Sequence, residues 1–144
     1  MSPPPLMLDS GPLAQLVHPK LGPDLAKWFL SATAAGQRIV IPEIADYELR
    51  RKLLHQDFRQ SLSRLDSLEA MLGYLKIDTA TLRRAAELWA AARRRGHPTA
   101  PPEALDGDVI LAAQAEAIGA VVVTEDIKDL SQFVPTRRWS EITF

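Results

Sequence analysis

Short unbroken apolar runs alternate along this chain with longer stretches in which apolar residues recur every three or four positions. Leu6-Met7-Leu8 is such a run, and Asp9-Ser10-Gly11-Pro12 ends it, the pattern of a buried strand followed by a turn. Gly22-Pro23-Asp24 opens a helix whose apolar positions are Leu25, Trp28, Phe29 and Ala32, with Gly36 as its stop. Arg38-Ile39-Val40-Ile41 is a second short strand. Pro42 suits the first turn of the next helix, where its missing N–H costs nothing, and Ile44, Ala45, Leu49 and Leu53 give that helix a buried stripe as far as Leu54. Residues 57–72 predict a further amphipathic helix, Tyr74-Leu75-Lys76-Ile77 a weak strand, and Asp78-Thr79 the start of a long helix through Arg95 that Gly96-His97-Pro98 terminates. A proline-rich loop over 99–103 leads into the helix LDGDVILAAQAEAIG, stopped by Gly119, and residues 120–123 form a β-branched strand. Continuous apolar strands between helices predict a parallel α/β sheet covered on both faces.

A chain of 144 residues with no break in composition suits a single domain over 1–144 that buries its own core. The absence of Cys removes disulfides, thiol nucleophiles and cysteine-ligated zinc, and fits a reducing cytoplasm. The N-terminus lacks the basic and apolar stretches of a signal peptide, and no run has the length to span a membrane. The expectation is therefore a cytoplasmic protein with no membrane partner. A net charge of −1 creates no overall basic field, yet basic residues cluster at Arg50-Arg51-Lys52, Arg83-Arg84, Arg93-Arg94-Arg95 and Arg137-Arg138. Each cluster is either a solvated helix face or a local anion-binding patch.

The chemistry lies in carboxylates. Ligands of open α/β sheets bind outside the carboxyl ends of the strands. Strand one runs into Asp9, the last core strand runs into Thr124-Glu125-Asp126, and helix starts at the same end bring Asp106 and Asp108 nearby. Glu48 lies about two turns into the helix after the second strand and borders its buried stripe. Each has a structural alternative: a turn for Asp9, a helix cap for Asp106, a cap of the short turn 127–130 for Asp126 and a surface position for Glu48. Carboxylates that do converge must bind protons or a cation to coexist at neutral pH. Oxygen donors without Cys, and with His18, His55 and His97 scattered, favour Mg²⁺ or Mn²⁺ over Zn²⁺. No phosphate-cradling glycine loop and no Ser-His-Asp set accompany them.

Four segments in order, LMLDSGPL, IPEIADYELRRKLL, ALDGDVILAAQA and AVVVTEDIKDL, make nearly the whole chain resemble the PIN-domain ribonucleases, in particular the VapC-type toxins of toxin–antitoxin pairs. The resemblance implies a three-layer α/β/α sandwich with a short parallel central sheet. It also implies a metal-binding catalytic site of Asp9, Glu48, Asp108 and Asp126, supported by Ser10 and Thr124. It further implies Mg²⁺- or Mn²⁺-dependent hydrolysis of RNA, a small antitoxin partner and a homodimer. The apolar residues Phe58, Leu62, Leu65, Leu68, Met71 and Leu72 suggest the dimer independently, being more than one small sheet face covers. Arg50, Arg51 and the run Arg93–Arg95 are the candidates to meet phosphates. The chain departs from its relatives at Gly11, where they often carry Asn or Ser, and at Leu130, where many carry Phe.

Between the two aspartates of LDGD, a helix that begins at Gly107 makes Asp106 its N-cap and leaves Asp108 free as the ligand, and the family's acid likewise directly precedes the apolar run. Two other functions compete. One is a noncatalytic RNA-binding or interaction module on the same fold. The other is a phosphoacceptor domain, which would want a Lys after a later strand; Lys128 offers only part of that pattern.

Overall fold

The computed structural model describes residues 2–96 and 102–144. Five strands form one sheet: β1 Leu6–Leu8, β2 Ile39–Pro42, β3 Gly73–Leu75, β4 Val121–Val123 and β5 Thr136–Arg137. Their order is β3-β2-β1-β4-β5, every neighbouring pair is parallel, and β1 is central, with Leu6 opposite both Ile39 and Val121. Seven α-helices flank the sheet among the described residues: α1 Ser10–Val17, α2 Pro23–Ala34, α3 Glu43–His55, α4 Arg59–Met71, α5 Thr79–Arg94, α6 Pro102–Ile118 and α7 Ile127–Leu130. The architecture is the expected three-layer α/β/α sandwich. Among the described residues no helix is long and apolar enough to cross a membrane.

Although every residue of β1 and β2 is buried, the period of two survives inside those runs and sorts side chains between two cores. Leu6, Leu8, Ile39, Ile41 and Val123 face one layer, packing with Leu13, Leu25, Trp28, Leu49 and Leu65 from α1 to α4. Met7, Val40 and Val122 face the other, against Leu111, Ala112 and Ala115 of α6. The small residues of α6 let it lie close on the sheet, while Leu105, Val109 and Ala113 on its outer side hold α5 through Ala85. Gln114, fully buried in α6, donates to the Leu75 carbonyl at 2.8 Å and accepts from the Ile44 N–H at 3.3 Å, tying α6 to β3 and to the first turn of α3. Each buried polar atom there has a partner, as burial requires.

Several expectations are corrected. Residues 10–12 are not a turn but the first turn of α1, in which Pro12 has no intrahelical N–H bond to lose. Pro42 ends β2 and precedes α3 instead of lying within it. Asp57 has φ 56° and closes α3, with the Phe58 N–H reaching back to the Leu53 carbonyl at 2.9 Å, so α4 begins only at Arg59. The stripe on α4 does not need a second copy to cover it: Leu65 is fully buried and Leu62, Leu68 and Leu72 pack against the same core, leaving only Phe58 and Met71 exposed. The two-residue edge strand β5 is too short to carry an alternation the sequence could reveal. Of the loop expected over 99–103, residues 99–101 lie outside the described residues and 102–103 belong to α6.

Candidate metal centre

At the carboxyl edge of the sheet, β1 and β4 deliver Asp9 and Thr124 side by side. The register Leu8 opposite Val123 makes the next residues neighbours, and the Asp9 N–H bonds the Val123 carbonyl at 3.0 Å. Both oxygens of Asp9 are engaged. Oδ1 accepts from the Ser10 N–H at 2.7 Å as Asp9 caps α1, and Oδ2 accepts from the Thr124 hydroxyl at 2.8 Å. The turn expected at Asp9 as an alternative to a functional role is instead a helix cap, and capping is one of two tasks of the same carboxylate. Thr124 is 1% exposed, and its Oγ1 also accepts from the Asp126 N–H at 2.9 Å, so one hydroxyl sets two acids. Ser10 acts on Asp9 through its main chain, a contact that does not depend on its hydroxyl.

Asp108 enters from the front half of α6 and Glu48 from the second turn of α3. Between them lies Gly107, against whose backbone the Glu48 carboxylate is seated. Asp126 and Asp129 complete the group from the start of α7. Asp108, Asp126 and Asp129 each offer a carboxylate oxygen, all within 4.8 Å of one another. Asp129 was missed by the sequence reading. The available signal was its spacing, since acids three apart on a helix share a side, and Asp126 was already a candidate.

The electrostatics report the crowding. Burial pushes the Asp108 carboxyl up to about 7, reinforced by Asp126, Asp9, Asp129 and Glu48. Burial also raises Glu48, with Asp9 adding to the shift and Arg51 and Lys52 opposing it. Asp126 is raised by burial and by Asp129. Each shift has the sign that like charges in a partly desolvated site produce. Asp108 thus feels the other three acids expected from the sequence, and Asp129 as well. Asp108, Asp126 and Asp129 are the acids whose oxygens meet among the described residues, while Asp9 and Glu48 are tied to them through their charges; carboxylates without nitrogen or sulfur suit a hard divalent cation of the Mg²⁺ or Mn²⁺ kind.

Two expectations about neighbouring residues fail. Asp106 is not the N-cap of its helix. Because α6 starts at Pro102, where a proline's lack of an N–H is harmless, Asp106 sits inside the helix and is exposed. Two residues along a helix is a turn of about 200°, so Asp106 faces away from Asp108, onto a groove between α5 and α6 shared with Leu82, Trp89 and Ile110. Arg50 is not free to meet a phosphate. It bonds Asp46 at 2.9 Å, Asp66 at 2.8 Å and Glu69 at 3.5 Å, clamping α3 to α4. Arg51 remains exposed, its guanidinium 5.1 Å from the centre of the Tyr47 ring, as does Lys52. Arg93 lies 5.3 Å over the Trp89 ring.

Comparison with known proteins follows the same lines. The family model described as PIN domain matches residues 6–133. Among solved structures the chain is similar to VapBC2 from Rickettsia felis bound to a DNA fragment from their promoter, with a TM-score of 0.76 and 20% identity over 93% of this chain and 98% of that one. It is equally similar to DNA-bound VapBC from Salmonella typhimurium, with a TM-score of 0.76 and 21% identity over 95% and 99% of the two chains. A toxin–antitoxin complex from Klebsiella pneumoniae gives 0.66 and 18% over 95% and 99%. At these identities the likeness is one of fold. No curated protein sequence matches the chain.

Proposed function

The chain belongs to the PIN domain family, and from that premise we propose that it is a Mg²⁺- or Mn²⁺-dependent endoribonuclease acting as the toxin of a toxin–antitoxin pair. The observation that carries this reading is the meeting of carboxylate oxygens of Asp108, Asp126 and Asp129 within 4.8 Å, with burial and the charges of Asp126, Asp9, Asp129 and Glu48 raising the Asp108 carboxyl to about 7. Asp9, Glu48 and Asp108 would hold the ion, and Asp126 and Asp129 would complete the set directly or through water. A bound divalent ion supplies polarisation of a phosphodiester and a more acidic attacking water. The chain's own residues do the rest. Thr124 fixes the Asp9 carboxylate and the start of α7 together, and Asp9 is further pinned by the Ser10 amide. Arg51 and Lys52, whose charges oppose the rise in the Glu48 pKa, are the exposed cations beside the acids that would meet RNA phosphates.

The test uses purified protein and a mixed pool of structured RNAs. Cleavage is expected with Mg²⁺ or Mn²⁺, to stop with EDTA, and to be much weaker with Ca²⁺, whose looser coordination suits catalysis poorly. Cutting that persists in EDTA defeats the mechanism, and RNA bound but uncut in Mg²⁺ leaves a noncatalytic module.

A small antitoxin is proposed as partner on the strength of the toxin–antitoxin complex that shares this fold. Self-association is proposed as well, with its support moved from α4 to α5. There Leu82 is 49% and Trp89 37% exposed beside the groove against α6, an apolar surface that a second copy would cover. Light scattering is expected to give a homodimer, and a monomer at high micromolar concentration removes this part of the reading.

A further inference from the structure

Gly107 is the only glycine of the chain at which a side chain would collide. A Cβ built there falls 2.7 Å from Glu48 Oε2, 3.4 Å from its Cδ and 3.7 Å from Oε1, and these are its three nearest neighbours. At Gly73 the nearest atom is 3.4 Å away, and at the other five glycines nothing lies within 4 Å. Unlike Gly36, Gly96 and Gly119, which have positive φ, Gly107 has the backbone of the helix around it and no conformational need of its own. In the interior of α6 glycine is the least favourable residue short of proline. Its local cost is therefore set against something outside the helix, and the nearest group in that space is the Glu48 carboxylate.

We propose that Gly107 is a positioning residue: its missing side chain forms a notch in α6 that seats the Glu48 carboxylate beside Asp108 and Asp9. The inference rests on the reading of Glu48 as a ligand. An added methyl cannot readily move α6, which is fixed on one side by Leu111 and Ala112 in the sheet core and on the other by Leu105 and Val109 against α5. The Glu48 side chain, with rotatable bonds and its end at the site, is what yields. Its carboxylate then swings out of the acid cluster while the fold persists. Gly107→Ala is thereby expected to separate two properties that a purely structural glycine would lose together.

The experiment compares wild type with Gly107→Ala in three measurements that need no RNA. Mn²⁺ affinity by calorimetry is expected to fall about tenfold or more, in the range that misplaced ligands cost. The melting temperature of the metal-free protein is expected to hold or to rise by about 2–4 °C, from the better helix former. A crystal structure of the metal-free variant is expected to show Glu48 turned away from α6. An unmoved Glu48, or Mn²⁺ affinity within about twofold of wild type, overturns the proposal. So does a fall in melting temperature of several degrees, which would make the glycine a requirement of the fold. Wild type that binds no Mn²⁺ defeats the metal reading, and the crystal structure still decides whether Gly107 places Glu48.

Discussion

Asp108→Asn is expected to remove the metal-dependent RNA cleavage proposed for this chain and to leave the metal-free protein at least as stable as wild type. Loss of a ligand from the centre of the cluster is expected to cost more than the roughly 100-fold that disruption of an outer partner typically does. Stability moves the other way because Asp108 is held at about 7 by burial and by four neighbouring acids, so at neutral pH its ionised form is a burden on the folded state. An amide of the same shape carries no charge to desolvate. The side chain is only half-buried, so after allowance for solvent screening the gain is on the order of 1 kcal/mol. Cleavage of an RNA pool and thermal unfolding in EDTA check the two halves. Retained cleavage would remove Asp108 from the site, and a loss of stability would mean that its carboxylate makes attractive contacts in the fold. Asp106 offers the internal contrast: exposed on the opposite side of α6, it can be changed to Ala without touching the acids.

What the sequence disclosed follows from how each feature is encoded. Strands β1, β2 and β4 are buried apolar runs with few alternatives, and the acids immediately after β1 and β4 sit at a predictable edge, so Asp9 and Asp126 could be placed from the chain alone. Glu48 could be placed because it borders a helical stripe. The start of α6 could not, because prolines at 98, 101 and 102 read as a loop, whereas the last of them is a tolerated helix opener; that error made Asp106 a cap. Asp129 was hidden by the shortness of α7, four residues that carry no period of their own. Arg50 looked like a member of a basic run because its three acidic partners come from its own helix and from α4, and the pairing exists only after α3 and α4 pack. Gly107 is an extreme case, since nothing along the chain distinguishes it from a glycine that merely weakens a helix.

Mn²⁺ affinity is expected to rise about tenfold for each pH unit up to about 7 and then level off, a change of roughly 100-fold between pH of about 5 and about 7. A cation and a proton compete for the same oxygens, and Asp108 holds its proton up to about 7 where an unperturbed aspartate releases it near 4. Below the higher value, binding one ion must expel about one proton; above it, the carboxylate is already bare. Glu48 and Asp126, both raised first by burial, act in the same direction. The same groups fix the sign for the metal-free fold. Between about 4 and 7 the folded state holds at Asp108 a proton that the unfolded chain has released, so this group makes stability fall as pH rises through that window and contributes no further change beyond it. Added Mn²⁺ should reverse the trend, stabilising most where the acids are ionised. Calorimetry across this range, in two buffers of different protonation enthalpy, counts the protons released directly. An affinity that stays flat below pH of about 7 would show that Asp108 gives up no proton to the ion. Asp108→Asn supplies the control, because a shallower pH dependence in that variant assigns the competing proton to this carboxylate and not to the cluster at large.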